Sequence, residues 1–219
     1  MRPIEPRSFP RISGLVLFLL LIAIADAVAR FSFLAGVSST YDQLRQVLPA
    51  TEVPFHDRLN GWFLAHKAIT LLHIIPGTLL LVLAPFQFLA GIRNRHIGFH
   101  RWSGRALVVA AMFLGMSGIF LGAVFPNGSV AAALAIYLFG TLFLLFVIQA
   151  ILAIRRKDMV RHRVWMIRMF SLGLSAGTIR IVGVTLLVVA PASAVELRAA
   201  LALWLGFALS LAGGEIYLR

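Results

Sequence analysis

Cysteine is absent from the 219 residues. Its absence excludes disulfides, thiolate-bound iron–sulfur clusters and covalently attached c-type haem, and it leaves His-ligated haem or metal open. Acidic residues are scarce too, 8 Asp and Glu against 20 Lys and Arg, and charged residues make up only 13% of the chain. With so few carboxylates no paired acid–base site is visible, and neither a nucleophile constellation nor a phosphate-cradling loop takes its place. In a soluble protein the net charge of +12 would suggest nucleic acid. Here the basic residues lie in short connections between apolar runs, where membrane topology and anionic lipid headgroups explain them. The lipid bilayer is therefore the expected partner, and nucleic acid is not.

What the chain has in excess is apolar sequence, 60% of its residues. A helix needs about 20 mainly apolar residues to cross a bilayer. Six runs reach that length: Ile12–Leu34, Gly61–Gly91, Ser103–Phe125, Ser129–Ile154, Val164–Ala190 and Val195–Leu218. The pattern predicts an all-α, polytopic bundle of about six transmembrane helices, a single integral-membrane domain over residues 1–219. Arg2, Arg7, Arg11, Arg93, Arg95, Arg101, Arg105, Arg155, Arg156, Lys157, Arg161 and Arg163 would share one side, against Arg45, Arg58 and Arg198 on the other. Basic residues mark the cytoplasmic side, so both termini are expected there. A basic tail, an apolar run and Ala25-Asp26-Ala27 also resemble a signal peptide. The run from Ile12 is long for one, so residues 12–34 are read as an uncleaved first span.

Within the spans, Pro76-Gly77 and Pro85 predict a kink near Ile75 in the second. Gly118 and Gly122 in the third, and Gly173 and Gly177 in the fifth, put paired small residues on one face and allow close helix approach. Pro126-Asn127-Gly128 reads as a tight turn that makes the third and fourth spans antiparallel neighbours. The segment from Ala35 to Asn60 is amphipathic and is expected to form a short helix on the outer face.

Ionisable groups inside a membrane are costly and mark pairs, cavities or function. Counting 1.5 Å per residue places Asp26, Arg30, His73 and Arg180 at a similar depth toward the outer face, with His66 and Lys67 above them. His66, seven residues from His73, is expected on the same helix face. The structural alternative is that Asp26 pairs with Arg30 or Arg180 simply to hold helices together. The functional reading is a ligand site between spans one, two and five built from Asp26, His66, His73 and Arg180, with Arg180 as anchor for an anion.

The second and fourth connections read alike. Arg93 precedes His100-Arg101 by seven residues, as Arg155 precedes His162-Arg163, and Trp and Arg follow both pairs. His66…Leu72-His73-Ile74-Ile75-Pro76-Gly77, Ala84-Pro85-Phe86-Gln87-Phe88, His100-Arg101-Trp102-Ser103-Gly104-Arg105, and His162-Arg163-Val164-Trp165-Met166-Ile167-Arg168 with Thr178-Ile179-Arg180 follow in order. This set resembles the bacterial integral-membrane family known as domain of unknown function 2306, over about residues 66–181. The resemblance implies a multi-span protein of a bacterial inner (plasma) membrane and brings no established reaction.

Three function classes follow from the residues. The first is a binding or transport protein for a small molecule or anion, for which six spans suggest a homo-oligomer. The second is a b-type cytochrome with haem b on His100 and His162. The third is a membrane enzyme on a lipid-like substrate, with His73 or His100 as acid–base. A metal site from His96, His100, His162 and Asp158 is disfavoured by the surrounding arginines, so no metal is expected.

Overall fold

The computed structural model describes residues 14–36, 43, 46–124 and 129–219. The N-terminal arginines, Arg45 and the Pro126-Asn127-Gly128 turn lie outside the described residues. Among the described residues nine helices follow in order: α1 (Gly14–Leu34), α2 (Val53–Ala65), α3 (Lys67–Phe88), α4 (Ala90–Arg95), α5 (Ile97–Val124), α6 (Val130–Arg155), α7 (Met159–Gly173), α8 (Ser175–Val189) and α9 (Val195–Leu218). Among these residues six stretches are long and apolar enough to cross a membrane: α1, α3, α5, α6, the α7–α8 pair and α9. No strand occurs among the described residues.

The neighbour relations close a ring: α1 packs on α3, α3 on α5, α5 on α6, α6 on α9, α9 on α8, and α8 back on α1. The half-length α7 fits against α6, α9 and α3, and α8 continues it to the other end. Leu80, Leu107, Ala111, Ala135, Val147 and Met169 form the core. Arg93, Arg95, Arg155, Arg156 and Lys157 gather at one end of the ring, the basic end. The third and fourth spans pack together as expected, although their turn is not described.

Three apolar runs are less regular than their composition implies. The run Gly61–Gly91 is broken at His66 (φ −117°, ψ 43°) and again at Leu89, whose ψ of 116° is extended. It therefore supplies the end of α2, all of α3 and the start of α4. Pro76 and Pro85 both lie within the continuous α3. The amphipathic segment before the second run yields α2, which starts beside Pro54, a residue suited to a first helical turn. The run from Val164 to Ala190 is split at Leu174.

The paired glycines do allow close approach, but to different neighbours. A Cβ on Gly118 would meet the His73 ring of α3, and one on Gly122 would meet Ile136 of α6. Gly173 faces Leu80, whereas Gly177 lies directly against the backbone carbonyl of Leu19 on α1. The break at Leu174 separates that second pair, so a four-residue spacing no longer means one shared face.

The two look-alike connections also fold differently. The second forms the short helix α4 between breaks at Leu89 and His96. The fourth turns within three residues: Lys157 takes a left-handed φ of 58°, and the Asp158 carboxylate accepts from the Arg161 amide to cap α7. An amide-accepting carboxylate at a helix start satisfies donors the helix cannot, and the second connection has no such residue.

Candidate functional site

All six membrane-crossing segments line one interior cavity of about 330 Å³. It extends from mid-ring toward the end opposite the basic one. Ala23, Asp26, Ala27 and Arg30 of α1, His73 and Gly77 of α3, and Arg180 of α8 supply one side. Phe139, Phe143 and Phe207 give the far wall an aromatic surface. Trp62 and Phe63 of α2 lie at the opposite-end limit of the cavity.

Three side chains anticipated from sequence meet here. The Arg180 Nη2 donates to Asp26 Oδ2 at 2.7 Å, joining α8 to α1. Both groups are only partly covered, with side-chain exposures of 42% and 35%, so the pair borders open space rather than solid packing. His73 lines the same cavity close enough to feel the Arg180 charge. Of the two partners considered for Asp26, Arg180 forms the ion pair. Arg30 instead donates to Asn60 Oδ1 of α2 and lies 4.7 Å over the Phe63 ring.

The protonation of His73 follows from its neighbour. Its Nδ1 is 3.1 Å from Ser117 Oγ, and that hydroxyl donates its one hydrogen to the Phe113 carbonyl at 2.6 Å. Ser117 therefore accepts and Nδ1 carries a proton, which leaves Nε2 as an acceptor whenever the ring holds that proton alone. Ser117 escaped the sequence reading because a serine bonded back to its own helix is common in membranes. Its position between Met116 and Gly118 was the available signal.

His66 is not brought to this cavity. The helix breaks at His66, so the seven-residue spacing to His73 does not carry across. Its exposed ring stacks on Trp62 with centroids 4.3 Å apart, and Nδ1–H donates to the Trp62 carbonyl. Lys67 is likewise exposed at the start of α3.

The cap formed by α2 is held by contacts that the sequence did not reveal. Arg198 donates to the buried Glu52 carboxylate and to the carbonyls of Ala190, Pro191 and Ser193. Arg58 pairs with Glu196 at 3.2 Å. Together with Arg30–Asn60, these tie α2 to α9, to the α8–α9 turn and to α1. His56 on α2 has its pKa lowered by burial, an effect that the nearby Arg30 adds to and that Glu52 and Asp57 oppose.

At the basic end, His100 and His162 are close enough to sense each other's charge. His162 Nδ1 lies 2.9 Å from the Ala150 carbonyl and must donate to it, which frees Nε2. His100 Nδ1 is buried without a hydrogen-bond partner. Arg93 approaches Arg163 here, and burial together with that like charge lowers the Arg93 pKa. Among the described residues no three His, Asp or Glu converge as metal ligands. Asp158, part of the disfavoured metal set, is engaged in capping α7. Deeper in the same half, Arg168 binds Glu215 through two hydrogen bonds of 2.5 and 3.0 Å and lies over Trp165.

Residues 70–218 match the family described as Predicted membrane protein (DUF2306), and the chain belongs to that family. The match extends through the last span, beyond the stretch of motifs that suggested it. No curated protein and no solved structure matches the chain.

Proposed function

We propose that this integral membrane protein binds a small amphipathic acid within the bilayer, its carboxylate on Arg180 and its apolar body in the central cavity. The observation that carries this reading is one interior space of about 330 Å³ bordered by the Arg180–Asp26 pair, His73 and an aromatic wall. That volume suits a small ligand, and a few convergent polar groups in an apolar pocket are the usual form of such a site. Arginine stays charged in low dielectric and presents five donors in a fixed fork. One of them serves Asp26, so a ligand carboxylate can be accepted without abandoning the resting partner. His73 Nε2 adds an acceptor for a hydroxyl or a protonated carboxyl. Uptake or transfer of such a molecule is the role this site would serve, from a protein whose two termini we assign to the cytoplasmic side of a bacterial inner membrane.

The test is thermal unfolding of the purified protein in nanodiscs with octanoate or octanol. Octanoate is expected to raise the melting temperature and octanol not to, with the difference lost in Arg180→Gln. Equal effects of both compounds, or an octanoate effect unchanged in Arg180→Gln, would overturn the reading.

A haem b on His100 and His162 is the second reading, favoured by the free Nε2 of His162 and the unpartnered Nδ1 of His100. A ligating histidine commonly donates its other nitrogen to a backbone carbonyl, as His162 does. Haem would give a Soret band that disappears in His162→Ala. A colourless protein, expressed with haem available, removes this reading.

A further inference from the structure

A second hollow, of about 580 Å³, opens on the outer surface of the α3–α5 pair, on the side away from the central cavity. Its origin lies in residue size. Ala106 and Ala110 are one turn apart on α5 and face Ile75 and Pro76 of α3, while Val109 and Phe113 rise beside them. Two methyl side chains opposite a proline leave a furrow where larger residues would have filled the helix interface. Ile75, Val109 and Phe113 are all well exposed along it. In a membrane that exposure is to lipid.

One end of the furrow is charged. Arg105 lines it and is exposed, and it has no hydrogen bond or ion pair among the described residues. It lies roughly 12 Å along α5 from the start of that helix at the basic end. Helical side chains lean toward the helix N-terminus, so the guanidinium reaches back toward that end, where lipid phosphates lie. Trp102, 68% exposed, lines the same end in the manner of interfacial aromatics. Arg101 precedes Arg105 by four residues and shares its helix face nearer the water.

We propose that this furrow seats one anionic phospholipid from the leaflet at the basic end. Arg105 takes the phosphate through paired N–H donors, which suit a phosphate better than a point charge does. One acyl chain lies over Ala106 and Ala110 between Ile75 and Phe113. Arg101 adds the positive potential that favours an anionic headgroup over a zwitterionic one. The site is separate from the central cavity and does not depend on what that cavity binds.

The experiment is native mass spectrometry of the protein released from nanodiscs of phosphatidylglycerol and phosphatidylcholine in equal parts. The wild type is expected to retain one phosphatidylglycerol in preference to phosphatidylcholine. Arg105→Gln should lower that retention roughly tenfold, the change that loss of a charged hydrogen bond corresponds to. Ala106→Leu fills the furrow with Arg105 intact and should also displace the lipid, whereas Arg156→Gln at the same end should not. Retention of both lipids alike, or equal loss in Arg105→Gln and Arg156→Gln, would overturn the proposal.

Discussion

A charge inside a bilayer survives only with a counter-charge, a wet cavity or a reach to the interface: Arg180 and Arg198 each have a carboxylate partner, and Arg105 lies within reach of the interface. Arg180 has Asp26 across a helix boundary. Asp26→Ala leaves the guanidinium without its partner and should destabilise the protein by about 2 kcal/mol, between the values for exposed and fully buried pairs. The double variant Asp26→Ala/Arg180→Leu should recover much of that loss in thermal unfolding; strictly additive losses would mean the two groups do not interact. His56 gives a pH dependence. Its pKa is depressed in the folded state, chiefly by burial, so the unfolded chain binds the proton more readily. Stability from this group is present above the ordinary histidine range and falls as pH drops through about 6.5. His56→Gln should flatten the melting temperature over that interval, and an unchanged acid slope would assign it to other groups. At this scale the sequence was informative where a residue was conspicuous. Asp26, His73 and Arg180 stood out because a membrane should exclude them. Glu52 did not, because an acid in a polar connection is ordinary until the fold carries it against Arg198.

Elements are joined by glycines at some crossings and broken where composition gives no sign. Gly213 and Gly214 are adjacent on α9 yet differ in surroundings: nothing lies within 4 Å of a Cβ on the first, and the Ser171 side chain blocks one on the second. Gly213→Ala should be neutral or stabilise by up to about 1 kcal/mol through helix propensity. Gly214→Ala should destabilise by about 1–3 kcal/mol through overpacking. Matching outcomes for the two in thermal unfolding would contradict the α7–α9 packing. At the α6–α7 turn, Asp158→Ala should lose about 1 kcal/mol with the cap. The helices themselves were legible, because twenty apolar residues in a row have few alternatives. The breaks at His66, Leu89 and Leu174 were not. Hydropathy averages over a window and passes smoothly across a single-residue interruption, and the expected His66–His73 face failed for that reason at His66.

For the whole molecule, the number of spans was legible and their arrangement was not. Order around a ring depends on long-range packing such as Gly177 on Leu19 and Gly206 on Ile179, which no local spacing encodes. The depth estimate brought Asp26, His73 and Arg180 together because depth is linear in residue number. It could not supply Phe139, Phe143 or Phe207, whose rotation toward the centre is set by neighbouring helices. The proposed orientation in the bilayer rests on the basic end. Reporter fusions at Lys157 are expected on the cytoplasmic side and fusions at Asn127 on the opposite side, and the reverse pattern would invert the assignment.

The central claim is that Arg180 and Asp26 border a cavity that water and ligand can enter from the end opposite the basic one. The absence of cysteine makes it directly measurable, since Ala27→Cys places a single thiol on the cavity wall beside Asp26. A charged, membrane-impermeant thiol reagent should label that cysteine from the outer side of intact cells, and octanoate should slow the reaction. A thiol that stays unlabelled from that side, or is labelled at a rate octanoate does not change, would contradict the account.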